Sequence, residues 1–217
     1  MQPANIQSHL RFPLTRLLGN GGSVRVLRAM LLYGAPLSAS QLAQDTGLTP
    51  QGVRLTLSSL AGQQIVTLLG SSRSQLFEIN TRHPLAPALK SLFIEERCHW
   101  ELIMQTLQTI FREFSNVEAA WYYGSVARAE DGPASDLDIA IVVTNGSVDD
   151  TVGAVRLALQ QLEDSSSVGC SVVGVALDNV PALASENAWW KEVSRDAKVI
   201  KGLPPERLAA RIKRAAA

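Results

Sequence analysis

The residues of this 217-residue chain best suited to chemistry lie in one stretch. Gly124-Ser125 is followed by ten residues and then by Asp136-Leu137-Asp138, which opens an apolar run ending at Val143. Side chains alternate along a strand, so Asp136 and Asp138 point to one side, about 6.5 Å apart along the chain. Two carboxylates held that way repel each other unless a cation sits between them. Gly124, Ser125 and Val126 stand where a helix begins, and the unpaired amides of a helix start attract an anion. Metal-holding acids opposite a phosphate-sized cradle are what phosphoryl and nucleotidyl transfer require.

The elements that must position these groups can be read around them. Ala119 to Tyr123 is an aromatic-rich strand, Gly124-Ser125 a sharp turn, Val126 to Glu130 a helix start, and Gly132-Pro133 its break. Leu137 to Val143 is a buried strand. Val152, Val155, Leu159 and Leu162 mark an amphipathic helix, and Val168 to Leu177 a third strand with β-branched Val172, Val173 and Val175. Pro181 to Val193 reads as one helix with Trp189-Trp190 in the core. Ala197 to Ile200 reads as a short edge strand, and Pro205 starts a basic last helix with Arg207, Arg211, Lys213 and Arg214.

The Gly-Ser turn, the ten-residue gap and Asp136-X-Asp138 together resemble the signature of the DNA polymerase β-type nucleotidyltransferases, most closely the small minimal nucleotidyltransferases of bacteria and archaea. The resemblance implies that Asp136 and Asp138 bind Mg²⁺ or Mn²⁺ and are catalytic. It also implies that Gly124, Ser125 and Val126 hold ATP or another nucleoside triphosphate, with Arg128 helping to neutralise its charge. That family generally carries a third acid on the next strand, facing the pair. Here that strand has neither Asp nor Glu, and Ser171 or Val173 stands at the place. Asp164 and Asp178 lie before and after it and fit poorly.

Two readings therefore stay open. One is a Mg²⁺-dependent enzyme moving a nucleoside monophosphate onto a hydroxyl of a protein, nucleic acid or small molecule. Antitoxin-like members of the family modify a partner toxin by AMPylation, so a toxin is among the implied partners. The other is a DNA-binding transcriptional regulator whose inactive transferase-like domain senses a nucleotide or mediates dimerisation.

The front of the chain is organised differently. Ser23 is placed to cap a helix through Tyr33, Ser38 or Ser40 a second helix to Thr46, and Thr49 a third that starts at Pro50 and ends near Gln63. Strands Ile65 to Leu69 and Gln75 to Ile79 follow. This succession resembles a winged helix-turn-helix of the ArsR-like kind. The resemblance implies that Thr49, Gln51, Arg54 and Ser58 reach DNA bases or phosphates and that Arg73 belongs to the wing. The expected fold is α/β, in the α+β sense: a winged helix-turn-helix domain with its linker helix at 1–92, then a small mixed-sheet nucleotidyltransferase domain at 93–217. A long helix from Leu85 to Phe114 carries Trp100, Ile103, Leu107, Ile110 and Phe114 as a seam, which would serve either a core or a homodimer contact.

Composition narrows the classes. Formal net charge is zero, with 20 basic and 20 acidic residues. Residues 1–80 hold six Arg against Asp45 and Glu78, whereas 117–165 hold two Arg against nine acids. A basic front and an acidic middle point to units with different partners. No apolar run approaches the ~18–20 residues of a membrane span, and the N-terminus lacks the pattern of a secretory signal. Cys98 and Cys170 are far apart and are expected to be reduced packing residues of a cytoplasmic protein.

Overall fold

A computed structural model describes residues 17–70, 75–166 and 168–215. The chain divides into two compact units, Met1–Cys98 and His99–Ala217.

In the first unit, α1 (Gly21–Tyr33), α2 (Ala39–Thr46) and α3 (Pro50–Gly62) precede an antiparallel pair, β1 (Val66–Leu69) and β2 (Leu76–Ile79). Caps explain where the helices start. The Asn20 side chain, not Ser23 as expected, accepts the Ser23 N–H at 2.8 Å. Ser23 falls inside α1, where its buried hydroxyl has no partner. Both residues are good caps, and the one three positions ahead of the free amide wins. Ser38 and Gln41 form a reciprocal capping box at α2. Thr49 accepts the Gly52 N–H at 3.1 Å, and Pro50 stands at the helix start, where an N–H is not missed. Val26, Leu27 and Met30 of α1, Leu42 of α2 and Val53, Leu57 and Leu60 of α3 make the core. An isolated bridge pairs Leu37 with Phe77 of the hairpin. Arg73, expected in the wing, lies outside the described residues.

Helix α4 (Ala86–Glu113) gives Leu89 and Phe93 to this core, and Ile103, Leu107 and Phe111 to the core of the second unit. Of the expected seam, Trp100 is 38% exposed, and Phe111, which was not in the expected seam, is fully buried. Cys98 is exposed rather than packed.

The second unit is a four-stranded mixed sheet in the order β5-β4-β3-β6, built from β3 (Val117–Tyr123), β4 (Leu137–Val143), β5 (Cys170–Ala176) and β6 (Lys198–Lys201). Among the described residues only β4 and β5 run parallel, joined by α6 (Val148–Ser166). Between β3 and β4 sits the one-turn helix α5 (Gly124–Ala127). Alternation divides β4 between two cores. Leu137, Ile139, Ile141 and Val143 pack with α4 and α6 residues, and Ala140 and Val142 with Trp121, Trp190, Val193 and Leu208. The helix expected over Pro181–Val193 is broken into α7 (Val180–Glu186) and α8 (Ala188–Asp196). Asn187 causes the break: its side chain accepts the Trp190 N–H at 3.0 Å and caps α8. Helix α9 (Pro205–Ala215) closes that face. Among the described residues no helix is long and apolar enough to cross a membrane.

Candidate active site

Strand β3 ends at Tyr123, and Gly124 turns the chain with φ +75°, the left-handed region that favours glycine. The chain then makes the single turn α5, closed by the Arg128 N–H donating to the Gly124 carbonyl at 3.2 Å. No side chain caps its N-terminus, so the amides of a first helical turn are available to a ligand. The Val126 side chain packs into the core, while Ser125 is half-buried beside the turn.

Across the sheet, Tyr123 pairs with Asp138. The Asp138 carboxylate lies directly against the turn: a Cβ on Gly124 would stand 2.6 Å from its Oδ2. Asp136 precedes the strand by one residue, and the Leu137 N–H donates to the Gly169 carbonyl at 2.8 Å, so the parallel ladder continues to this end. The Asp136 carboxylate covers Gly169, where a side chain would collide with Oδ1. Each aspartate thus occupies space that a glycine leaves open.

The charge of Asp136 acts on Asp138. Burial first, then the Asp136 charge and then Glu192, hold the Asp138 carboxyl above its ordinary value. Burial also raises the Tyr123 hydroxyl, with Asp138 and Glu192 adding to it against a hydrogen bond from Trp189. Cys170, next to Gly169, is pushed up to about 11 by burial, then by Glu163 and Asp136, so its thiol stays protonated near neutrality.

The donors present fit a hard divalent cation. Two neighbouring carboxylates supply oxygen ligands, and Mg²⁺ commonly takes one or two of these together with substrate phosphates. Among the described residues no group of three or more His, Cys, Asp or Glu is close enough to hold an ion. Where the resemblance led to the expectation of a third acid, Ser171 pairs with Asp138 and Val173 with Ala140. Val173 is 38% exposed on the face that carries the acids.

Arg128 leaves α5 engaged on two sides. Its Nε donates to Glu130 at 2.7 Å and its Nη1 to Asp196 at 2.5 Å. Asp196 is buried at the end of α8 and also accepts two bonds from Arg195, at 2.7 and 2.9 Å. Those bonds hold its carboxyl well below the usual range: first the Arg195 hydrogen bond, then, against burial, the Arg128 one. Trp189, a turn and more earlier on α8, donates its Nε1 to the Tyr123 hydroxyl at 3.0 Å. Sequence reasoning missed Asp196, which is more than fifty residues from the motif whose Arg128 it holds; the only local trace is its spacing with Trp189.

In the first unit Thr49, Gln51, Arg54 and Ser58 are exposed, the last three along one side of α3. The Thr49 hydroxyl is also the cap of that helix. Leu55 is exposed among them.

Comparison with curated proteins finds no match. Among solved structures, one similar chain is from the crystal structure of a toxin–antitoxin with AMP-PNP. It is 15% identical over 52% of this chain and 86% of that one, with a TM-score of 0.38. Another is from the rebuilt and re-refined structure of a tri-AMPylated Shewanella oneidensis HEPN toxin in complex with MNT antitoxin. There the identity is 13% over 54% of this chain and 85% of that one, with a TM-score of 0.36. Residues 105–185, which include the Gly124-Ser125 turn and both aspartates, match the family model for the Polymerase beta nucleotidyltransferase domain.

Proposed function

We propose that this protein transfers a nucleoside monophosphate from ATP, or another nucleoside triphosphate, to a hydroxyl acceptor in a Mg²⁺-dependent reaction. The observation that carries the reading is the seat of the Asp138 carboxylate against the Gly124 turn, with Asp136 beside it on the same side of the sheet. Asp136 and Asp138 would hold the ion, Mg²⁺ or Mn²⁺. When bound, such an ion neutralises the phosphates and polarises the phosphorus under attack. The amides of Gly124, Ser125 and Val126 and the Ser125 hydroxyl would receive the β- and γ-phosphates. Arg128 would add positive charge beside them, its direction set by Asp196. The acceptor is a hydroxyl of a protein such as a toxin, of a nucleic acid or of a small molecule.

The first unit is proposed as a winged helix-turn-helix. Three capped helices followed by an antiparallel hairpin support this, with α3 presenting Gln51, Arg54 and Ser58 to DNA. The second reading keeps the DNA-binding unit and makes the second unit a nucleotide sensor or dimerisation module. The β5 strand, Cys170–Ala176, favours it by carrying no acid, since losing a general base removes roughly two to four orders of magnitude in rate.

Calorimetry with ATP and Mg²⁺, then incubation with labelled ATP, separates the two. Metal-dependent binding that Asp136→Ala/Asp138→Ala loses, together with transferred label, is the enzyme's result. The same binding without transfer is the sensor's. Nucleotide binding that survives the double substitution unchanged would remove both.

A further inference from the structure

We propose that Glu192 supplies the carboxylate that strand β5 lacks and takes the proton from the attacking hydroxyl. This rests on the transferase reading above and deepens it. Residues 189, 192 and 196 of α8 are spaced by three and four, so their side chains share one side of the helix. The two outer members both touch the site. Trp189 donates to the hydroxyl of Tyr123, the cross-strand partner of Asp138, and Asp196 holds Arg128, which closes the Gly-Ser turn. Glu192 stands between them, at the edge of the covered face rather than beneath it, and its side chain is exposed.

Helix α8 packs against the Gly124–Ala127 turn and against β3, and Glu192 lies on it between the residues that make the two side-chain contacts. Among the described residues it forms neither a hydrogen bond nor an ion pair. An exposed carboxylate without a salt bridge among the described residues, on the helix that packs against the turn, can meet a substrate. Because among the described residues no third acid stands close enough to share an ion with Asp136 and Asp138, the proton, not the metal, is its assignment.

The step balances without another reagent. The acceptor O–H gives its proton to the Glu192 carboxylate as its oxygen forms a bond to the α-phosphorus. The bond from that phosphorus to the bridging oxygen breaks, and pyrophosphate leaves with the electron pair. Glu192 then returns the proton to water. Trp189 and Asp196 are positioning residues in this scheme, fixing the helix that presents Glu192.

The test compares the full-length protein with Glu192→Gln, Glu192→Asp and, as a control on an exposed acid outside the site, Glu186→Gln. Binding is read by calorimetry with Mg²⁺ and α,β-methylene-ATP, and turnover as pyrophosphate released from labelled ATP with glycerol or water as acceptor. The expected result for Glu192→Gln is unchanged binding and turnover lowered about 10²–10⁴-fold, with Glu192→Asp recovering part and Glu186→Gln unaffected. Turnover of Glu192→Gln within about threefold of wild type would overturn the assignment while leaving the transferase reading intact. Loss of binding in step with turnover would overturn it too, because the residue would then act through structure. Wild type that binds the analogue and releases no pyrophosphate would overturn the transferase reading itself, and the role of Glu192 with it.

Discussion

Substituting Gly124 by alanine attacks the geometry on which the site depends, and the structure separates its two costs. The first is backbone: at φ +75° an L residue is strained, by about 1–2 kcal/mol. The second is steric. The new Cβ would stand 2.6 Å from Asp138 Oδ2, roughly 1 Å inside normal contact. A carboxylate at the end of a short side chain can swing away, so this second cost falls on ligand placement more than on stability. Disturbing what orients a metal ligand lowers metal affinity by about 10–100-fold, and that is the drop expected in Mg²⁺–ATP affinity. Two companions isolate the terms. Gly34 has the same φ of +75° with nothing within 4 Å of an added Cβ, so Gly34→Ala measures the backbone cost alone. Gly169→Ala drives a Cβ into Asp136 with no left-handed strain, so it should weaken binding and leave stability within about 1 kcal/mol of wild type. Urea unfolding and calorimetry on the three variants give the answer. Should Gly124→Ala bind Mg²⁺–ATP like wild type and lose no more stability than Gly34→Ala, the carboxylate is not seated on the turn and the reasoning fails.

The other predictions use different parts of the chain. Asp196→Asn removes an acid whose carboxyl is depressed in the folded protein by Arg195 and Arg128. A depressed group stabilises above its unfolded value, about 3.9, and loses that contribution as pH falls through the lower folded value. The variant should therefore melt below wild type at pH 7, with the gap narrowing as the pH is lowered from about 4; a gap that stays constant to pH 2 would refute the ion-pair account. On the first unit, Arg54→Ala should weaken DNA binding and reduce the slope of log affinity against log salt by about one. Fluorescence anisotropy across a salt series measures this, and an unchanged slope would take Arg54 off the DNA.

How much of this was legible in the sequence depends on how far each cause acts along the chain. Thr49-Pro50 names its own helix start because a hydroxyl and the amide three residues on need nothing else. The apolar run from Leu137 to Val143 gives strand, burial and the common face of Asp136 and Asp138, because alternation is local. Local rules fail where two of them compete. Ser23 and Asn20 both suit a cap, and Asn187 outweighed the apolar continuity that joined Pro181 to Val193. They fail altogether where the cause is a partner far away. The spacing of Trp190, Val193 and Asp196 tells that α8 buries one side; it does not tell that this side lies on β3 and the Gly-Ser turn. The motif therefore pointed to the two acids and the Gly-Ser turn, and gave no sign of the helix that packs against that turn.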